Sequence, residues 1–99
     1  MGSHSEDDEW QKFIELCTKI KSPEILKEFF DLFLTIEERE VLTSRFRIIK
    51  ALLDKELTQR EIAEKNKVSI SQITRGSNAL KVISSELRQF LTKETEKKS

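Results

Sequence analysis

The segment from Thr58 to Lys81, TQREIAEKNKVSISQITRGSNALK, constrains the fold of this chain more than any other part. Thr58 and Glu61 form the T-x-x-E pattern of a helix start. Ser69 and Gln72 form the S-x-x-Q version of the same pattern. In each such capping box, two side chains satisfy free backbone N–H groups at the first turn of a helix. The segment therefore predicts two short helices joined by a tight turn.

The residues between and within these helices favour a helix-turn-helix. Asn66 is expected to end the first helix in the left-handed conformation, because Asn tolerates positive φ. Apolar residues are spaced to form a packed inner face: Ile62, Ala63, Val68, Ile70 and Ile73. Polar residues remain on the outside, where they could contact DNA: Gln59, Arg60, Ser71, Gln72, Thr74 and Arg75. A purely structural corner between two helices produces the same spacing, so the pattern alone leaves both interpretations open.

Length and composition favour one small all-helical domain. A chain of 99 residues forms a single domain with a limited core. It contains 2 Gly and 1 Pro, so few residues interrupt helices. No apolar run in the sequence reaches the length of a membrane span, and no signal-peptide pattern is present. We therefore expect a cytoplasmic protein.

The sequence offers few residues for catalysis. Cys17 is the single cysteine, which excludes an internal disulfide, suits a reducing cytosol and predicts a buried core thiol. The single histidine, His4, lies in a segment that looks like an expression scar. Neither a metal-ligand cluster, a phosphate-binding glycine loop nor a Ser/His/Asp set can be assembled. We expect no enzymatic activity, no metal site and no cofactor.

The net charge is zero, but the charges are unevenly distributed. Residues 1–40 carry 11 acidic and 5 basic side chains, whereas residues 41–99 carry 7 acidic and 13 basic ones. The positive half contains the predicted helix-turn-helix. Such asymmetry indicates contact with nucleic acid, although charges in a chain this short also segregate by chance.

Two helices are predicted ahead of this positive half. The first runs from Glu6 to Ile20, with Trp10 as a core anchor on its apolar stripe. The second is capped by Ser22 and has Pro23 in its first turn. Apolar residues cover well over half of its circumference: Ile25, Leu26, Phe29, Phe30, Leu32, Phe33 and Leu34. A helix that is apolar on most sides must be buried on most sides, so we expect a homodimer.

Two further helices complete an all-α fold of about six helices. A capping box at Thr35 opens a long helix that runs to about Leu53. A last helix starts near Ser84, and apolar residues lie on one of its sides. We expect one domain over 1–99, with residues 1–8 flexible or tag-derived and residues 93–99 forming a flexible tail.

Three segments carry a resemblance to a known family: LTIEEREVLTSRFRIIKALL, LTQREIA and ITRGSNALK. With the order of helices, they resemble the bacterial tryptophan repressor family over roughly Glu9–Leu91. A generic helix-turn-helix would not combine ITRGSN with the upstream T-x-x-E-R-E. The resemblance implies an intertwined homodimer, L-tryptophan as corepressor, and palindromic operator DNA of tryptophan-related genes.

The same resemblance implies a tryptophan site. Arg45 and Arg75 should clamp the two faces of the indole ring, and Arg75 should also pair with the ligand carboxylate. Further contacts to the ammonium, the carboxylate and the ring are implied at Leu32, Leu34, Thr35, Gly76 and Ala79.

DNA contacts are implied for both helices of the helix-turn-helix. Arg60 could fork to a guanine. Four residues should face the major groove: Ile70, Ser71, Gln72 and Thr74. Three residues are placed for phosphates: Thr58, Gln59 and Lys81.

Three positions depart from the family pattern. Ala79 replaces a common Ser, which weakens the case for tight tryptophan binding. Lys67 replaces a turn glycine, so Asn66 or Lys67 must adopt the turn conformation. Ala63 replaces a basic residue that contacts DNA. Two alternatives therefore remain: a DNA-binding protein of this fold with another effector or none, and a helical interaction module that does not bind DNA.

Overall fold

The computed structural model describes residues 6–96, in which all regular structure is α-helical. The six helices in this range are α1 (Glu6–Lys19), α2 (Pro23–Phe33), α3 (Ile36–Asp54), α4 (Gln59–Asn66), α5 (Ile70–Leu80) and α6 (Ser85–Glu96). The predicted six-helix, all-α fold is therefore confirmed. His4 and its expression-scar interpretation lie outside the described residues. Over 6–96, no helix combines the length and apolarity needed to cross a membrane.

The chain divides into two compact units, residues 1–37 and 38–99. The boundary lies in the first turn of α3. The first unit contains α1 and α2. The second contains most of α3 together with α4, α5 and α6, and therefore the helix-turn-helix.

In the first unit, Ser22 caps α2 as predicted. Its Oγ accepts a hydrogen bond from the Ile25 N–H at 3.2 Å and donates one to the Glu24 carboxylate at 3.0 Å. Pro23 follows at the start of the helix, where its missing N–H costs nothing. Hydrogen bonds from its own backbone and from the Ser22 hydroxyl lower the pKa of Glu24.

Aromatic rings hold α1 against α2, yet neither helix has a buried residue. The Phe13 ring lies 5.3–6.3 Å, centroid to centroid, from four others, those of Trp10, Phe29, Phe30 and Phe33. Trp10 is 62% exposed and Cys17 is only half-buried. The expectation of a buried Trp10 and a buried Cys17 is therefore wrong for the single chain, because two short helices cannot cover their own apolar faces.

The core of the second unit joins α3, α4 and α5. Ile62 and Ile73 are fully buried, and they pack with Ile48 and Ala63. Ala63 is small at the point where α4 meets its neighbours. The predicted inner face of the helix-turn-helix is thus confirmed for Ile62, Ala63 and Ile73. It is wrong for Ile70, which is 50% exposed.

The two capping boxes predicted for the helix-turn-helix have different outcomes. At α4 the box is complete: the Glu61 N–H donates to Thr58 Oγ1 at 3.1 Å, and the Thr58 N–H donates to the Glu61 carboxylate at 2.8 Å. At α5 the predicted box is wrong, because Ser69 makes no side-chain cap. Its Oγ lies 2.9 Å from Ser71 Oγ, so the two hydroxyls satisfy each other.

The turn between α4 and α5 is made by Lys67 and not by Asn66. Lys67 adopts the left-handed conformation, with φ 58° and ψ 44°. Asn66 stays helical, and its side-chain amide donates to the Ile62 carbonyl at 2.9 Å. Between the two candidates for the turn residue, the structure selects the lysine.

Hydrogen bonds hold the start of the last helix, α6, and link it to α5. Ser84 Oγ accepts from the Leu87 N–H at 3.0 Å and caps α6. The Arg88 guanidinium donates to the Leu80 carbonyl at the end of α5. Helical structure reaches Glu6 at one end and Glu96 at the other, within segments for which the sequence predicts flexible ends. Residues 97–99 lie outside the described part of the chain.

Candidate functional site

A cleft of about 330 Å³ lies between α3 and α5, inside the second unit. Its walls are formed by one face of each helix, because the residues recur at helical spacings of three and four. From α3 the wall consists of Val41, Ser44, Arg45, Ile48 and Ile49. From α5 it consists of Gln72, Arg75, Gly76 and Ala79. Both helices are held in place by the core beneath them.

The cleft is positively charged. Arg45 and Arg75 both line it, and its lining contains no carboxylate. Within residues 6–96, neither guanidinium group forms an ion pair or a hydrogen bond with another side chain or with the backbone. Each group is therefore available to a ligand. A guanidinium can fork to a carboxylate and stack on an aromatic ring.

The floor of the cleft is apolar and closely packed. Ile48 is 4% exposed, and Ile49 is half-buried beside it. Gly76 lets α5 approach α3 here: a Cβ atom at this position would lie 3.3 Å from Leu52 Cδ1. This combination of an apolar floor and two cations suits a small molecule with a ring and an acidic group.

The cleft brings together four of the predicted ligand residues: Arg45, Arg75, Gly76 and Ala79. The other three lie in the first unit, and their part in ligand binding stays a prediction: Leu32, Leu34 and Thr35. Gln72, for which the sequence predicts DNA contact, also lines the cleft.

Four lining residues are absent from the sequence-based prediction: Val41, Ser44, Ile48 and Ile49. For Val41, Ile48 and Ile49 the signal was present in the spacing around Arg45, since residues three and four positions away share its helix face. Ser44, next to Arg45 in the sequence, has no such signal. The sequence does not reveal which face of α3 lies opposite α5, because that depends on packing between distant residues.

The predicted DNA-contacting residues are accessible on the helix-turn-helix. On and before α4, Thr58, Gln59 and Arg60 are exposed. On and after α5, the exposed residues are Ile70, Ser71, Gln72, Thr74 and Lys81. Buried Ile73 lies between exposed neighbours and fixes which side of α5 faces outward. The roles of these side chains on DNA remain predictions.

A larger cavity of about 660 Å³ lies elsewhere in the second unit, among the ends of α3, α4 and α6. Its charged lining mixes both signs: Arg47, Lys50 and Lys65 with Asp54, Glu56, Glu94 and Glu96. These charges give it no preference for an anion or a cation. The described residues also contain no group of three or more side chains arranged to hold a metal ion. The cleft between α3 and α5 is therefore the better candidate despite its smaller volume.

Comparison with known proteins identifies the family to which most of the chain is similar. The Trp repressor protein family model matches residues 8–95. A Trp operon repressor homolog of Chlamydia caviae is 57% identical over 91 residues, covering 92% of this chain and 90% of that protein. One from Chlamydia trachomatis serovar D is 53% identical, covering 92% and 97%. One from Mannheimia succiniciproducens is 36% identical over 88 residues, covering 89% and 87%. A family match over residues 8–95, together with relatives 53–57% identical over 91 residues, means that this chain belongs to the Trp repressor family.

Proposed function

We propose that this chain is an L-tryptophan-dependent transcriptional repressor that binds palindromic operator DNA of tryptophan-related genes as a homodimer. Membership of the family places it among DNA-binding regulators and not among enzymes. A regulator of bacterial genes acts where the genome is, so its expected location is the cytoplasm.

The observation that carries the proposal is the charge and shape of the cleft between α3 and α5. Arg45 and Arg75 bring two positive charges to a cleft without a carboxylate in its lining. An aromatic amino acid suits this set, because one guanidinium can stack on the ring while the other stacks and pairs with the ligand carboxylate. The isoleucine side chains of α3 provide apolar surface for the ring edge.

The ligand would act on DNA binding through α5. The same helix that forms one wall of the cleft carries Ser71 and Thr74 on its exposed side. A bound ring between α3 and α5 would hold the recognition helix at one angle. In a dimer, two such helices must enter successive major grooves about 34 Å apart. If the ligand binds this arrangement best, ligand binding and DNA binding are coupled by a free energy of about 1–3 kcal/mol.

The exposed apolar surface supports the dimer. Large apolar side chains are uncovered on helices of both units, including Leu32 at 76%, Ile36 at 67% and Phe90 at 59% exposed. Exposed apolar patches of this kind mark interaction surfaces. Sedimentation equilibrium at low micromolar concentration should give twice the monomer mass. A well-folded monomer under these conditions would contradict the dimer.

The proposal is tested by titrating L-tryptophan into the protein in a calorimeter, with and without a palindromic operator duplex. Tryptophan should bind in both cases, and more tightly when operator is present, because coupling between two sites is reciprocal. Indole, which lacks the acid, and L-lysine, which lacks the aromatic ring, serve as control ligands. Ala79 in the cleft keeps one alternative open, a DNA-binding protein with another effector or none. Operator binding that is independent of tryptophan would favour that alternative.

A further inference from the structure

The cleft between α3 and α5 contains very few atoms that could accept a hydrogen bond. Its two arginines carry only donors. Its valine, isoleucine, glycine and alanine side chains carry neither donors nor acceptors. Backbone carbonyls inside α3 and α5 are engaged in helical hydrogen bonds. Two side-chain acceptors are left in the lining, the Ser44 hydroxyl and the Gln72 carboxamide.

An indole ring brings one polar group into such a cleft, its ring N–H. A donor that is covered by protein without a partner loses its bond to water and gains nothing in return. An acceptor on the cleft wall that the ring N–H faces therefore decides whether the cleft prefers an indole over a ring of the same shape without the N–H. This requirement rests on the proposed function, because it assumes that the ring of tryptophan enters the cleft.

Gln72 is better placed for this task than Ser44. It lies three residues before Arg75, one turn away on the same face of α5, and so beside the ring that Arg75 would stack on. Its carboxamide ends a flexible side chain that can reach into the cleft. Ser44 has a short side chain that is half-buried on α3, so its hydroxyl reaches less far into the cleft. The Gln72 side chain has no hydrogen-bond partner within residues 6–96.

We infer that Gln72 is a specificity-determining residue of the ligand cleft, whose carboxamide oxygen accepts the indole N–H of the bound ligand. This assigns Gln72 to the ligand in the absence of DNA. Ser71 and Thr74, which do not line the cleft, remain free to face DNA.

The test compares two ligands in a calorimeter without DNA, so that no phosphate can accept the N–H. The ligands are L-tryptophan and 3-(benzothiophen-3-yl)-L-alanine, in which sulfur replaces the ring N–H. The wild type should prefer tryptophan by about three- to tenfold, the range of one hydrogen bond. Gln72→Leu should lose this preference. Ser71→Ala, a neighbouring exposed change outside the cleft, should retain it.

Two more variants make the outcome unambiguous. Gln72→Glu keeps an acceptor at the same place, so it should retain the preference even if its negative charge weakens both ligands together. Ser44→Ala should also retain it. Loss of the preference in Ser44→Ala but not in Gln72→Leu would overturn the assignment to Gln72, and so would a wild type that binds both ligands equally. A wild type that binds neither ligand would overturn the proposed function itself. Circular dichroism of each variant confirms that the helices are intact.

Discussion

Gly76 of α5 faces Ile48 of α3 so closely that an ordinary side chain has almost no room between them. A Cβ atom at Gly76 would lie 3.3 Å from Ile48 Cγ2, and equally close to Leu52 Cδ1. Ile48 is buried and Leu52 is half-buried, so a side chain at position 76 would require one of them to shift by a few tenths of an ångström. The glycine thus sets the distance between the two walls of the cleft.

Gly76→Ala should weaken tryptophan binding, because the added methyl group pushes α5 away from α3. Overpacking of this kind costs about 1–3 kcal/mol, against about 1 kcal/mol gained from the better helix propensity of alanine. The free energy of unfolding of Gly76→Ala should therefore change little or fall. Calorimetric titration and urea unfolding measure the two effects. Asn78→Ala, an exposed change on the same helix outside the cleft, is the control. Unchanged tryptophan affinity in Gly76→Ala would contradict the close approach.

Lys67→Gly should stabilise the protein by about 1 kcal/mol, because glycine adopts the left-handed conformation without the steric cost that lysine carries. Urea unfolding gives this difference. Lys65→Gly provides a matched control with the same loss of charge. Lys65 is helical, so glycine there should destabilise by about 0.5–1 kcal/mol. If both variants change the free energy of unfolding in the same direction, Lys67 is not the turn residue in solution.

Thr58→Ala and Ser69→Ala should differ in their effects on stability. Thr58 completes a capping box, so its loss should lower the free energy of unfolding by about 1 kcal/mol. Ser69 makes no side-chain cap, and its loss should cost clearly less. Chemical unfolding of both variants decides the point. Equal losses would show that Ser69 caps α5 in solution, as the sequence pattern predicts.

Arg75→Ala and Arg60→Ala should separate ligand binding from DNA binding. Arg75 lines the cleft and Arg60 is exposed on α4, so each variant is the control for the other. Arg75→Ala should abolish tryptophan binding with helix content unchanged. Arg60→Ala should leave tryptophan affinity intact and weaken operator binding by about 1–3 kcal/mol if it forks to a guanine. Equal losses on operator and on random DNA would identify a phosphate contact at Arg60.

Ala79→Ser tests the position of the ligand ammonium. Ala79 lies on the cleft face, one helical turn after Arg75, so a serine there would offer one acceptor. The added hydrogen bond should strengthen tryptophan binding. The gain should be only about 1 kcal/mol, because water already solvates the ammonium of the free ligand. Indole-3-propionate has no ammonium, and its affinity should stay the same. If the ratio of the two affinities does not move toward tryptophan, the ammonium does not face residue 79.

Local patterns predicted the helices well because helix formation depends on residues within one or two turns. The caps at Ser22 and Thr58 and the buried faces of Ile62 and Ile73 follow from such patterns. The residue that makes the turn between α4 and α5 was harder to predict. Both Asn66 and Lys67 could adopt the turn conformation, and the structure shows the Asn66 side chain bonded back to Ile62 of its own helix, α4.

The amino-acid sequence by itself determined the number and order of helices and the place of the helix-turn-helix, and its resemblance to a known family implied that Arg45 and Arg75 hold a tryptophan ligand. Only the tertiary structure decided that Arg45 and Arg75 line one cleft, and that Gln72 lines it with them. The reason is physical. Helical spacing decides which residues share a face, whereas the packing of the core around Ile48 and Ile73 decides which two faces meet.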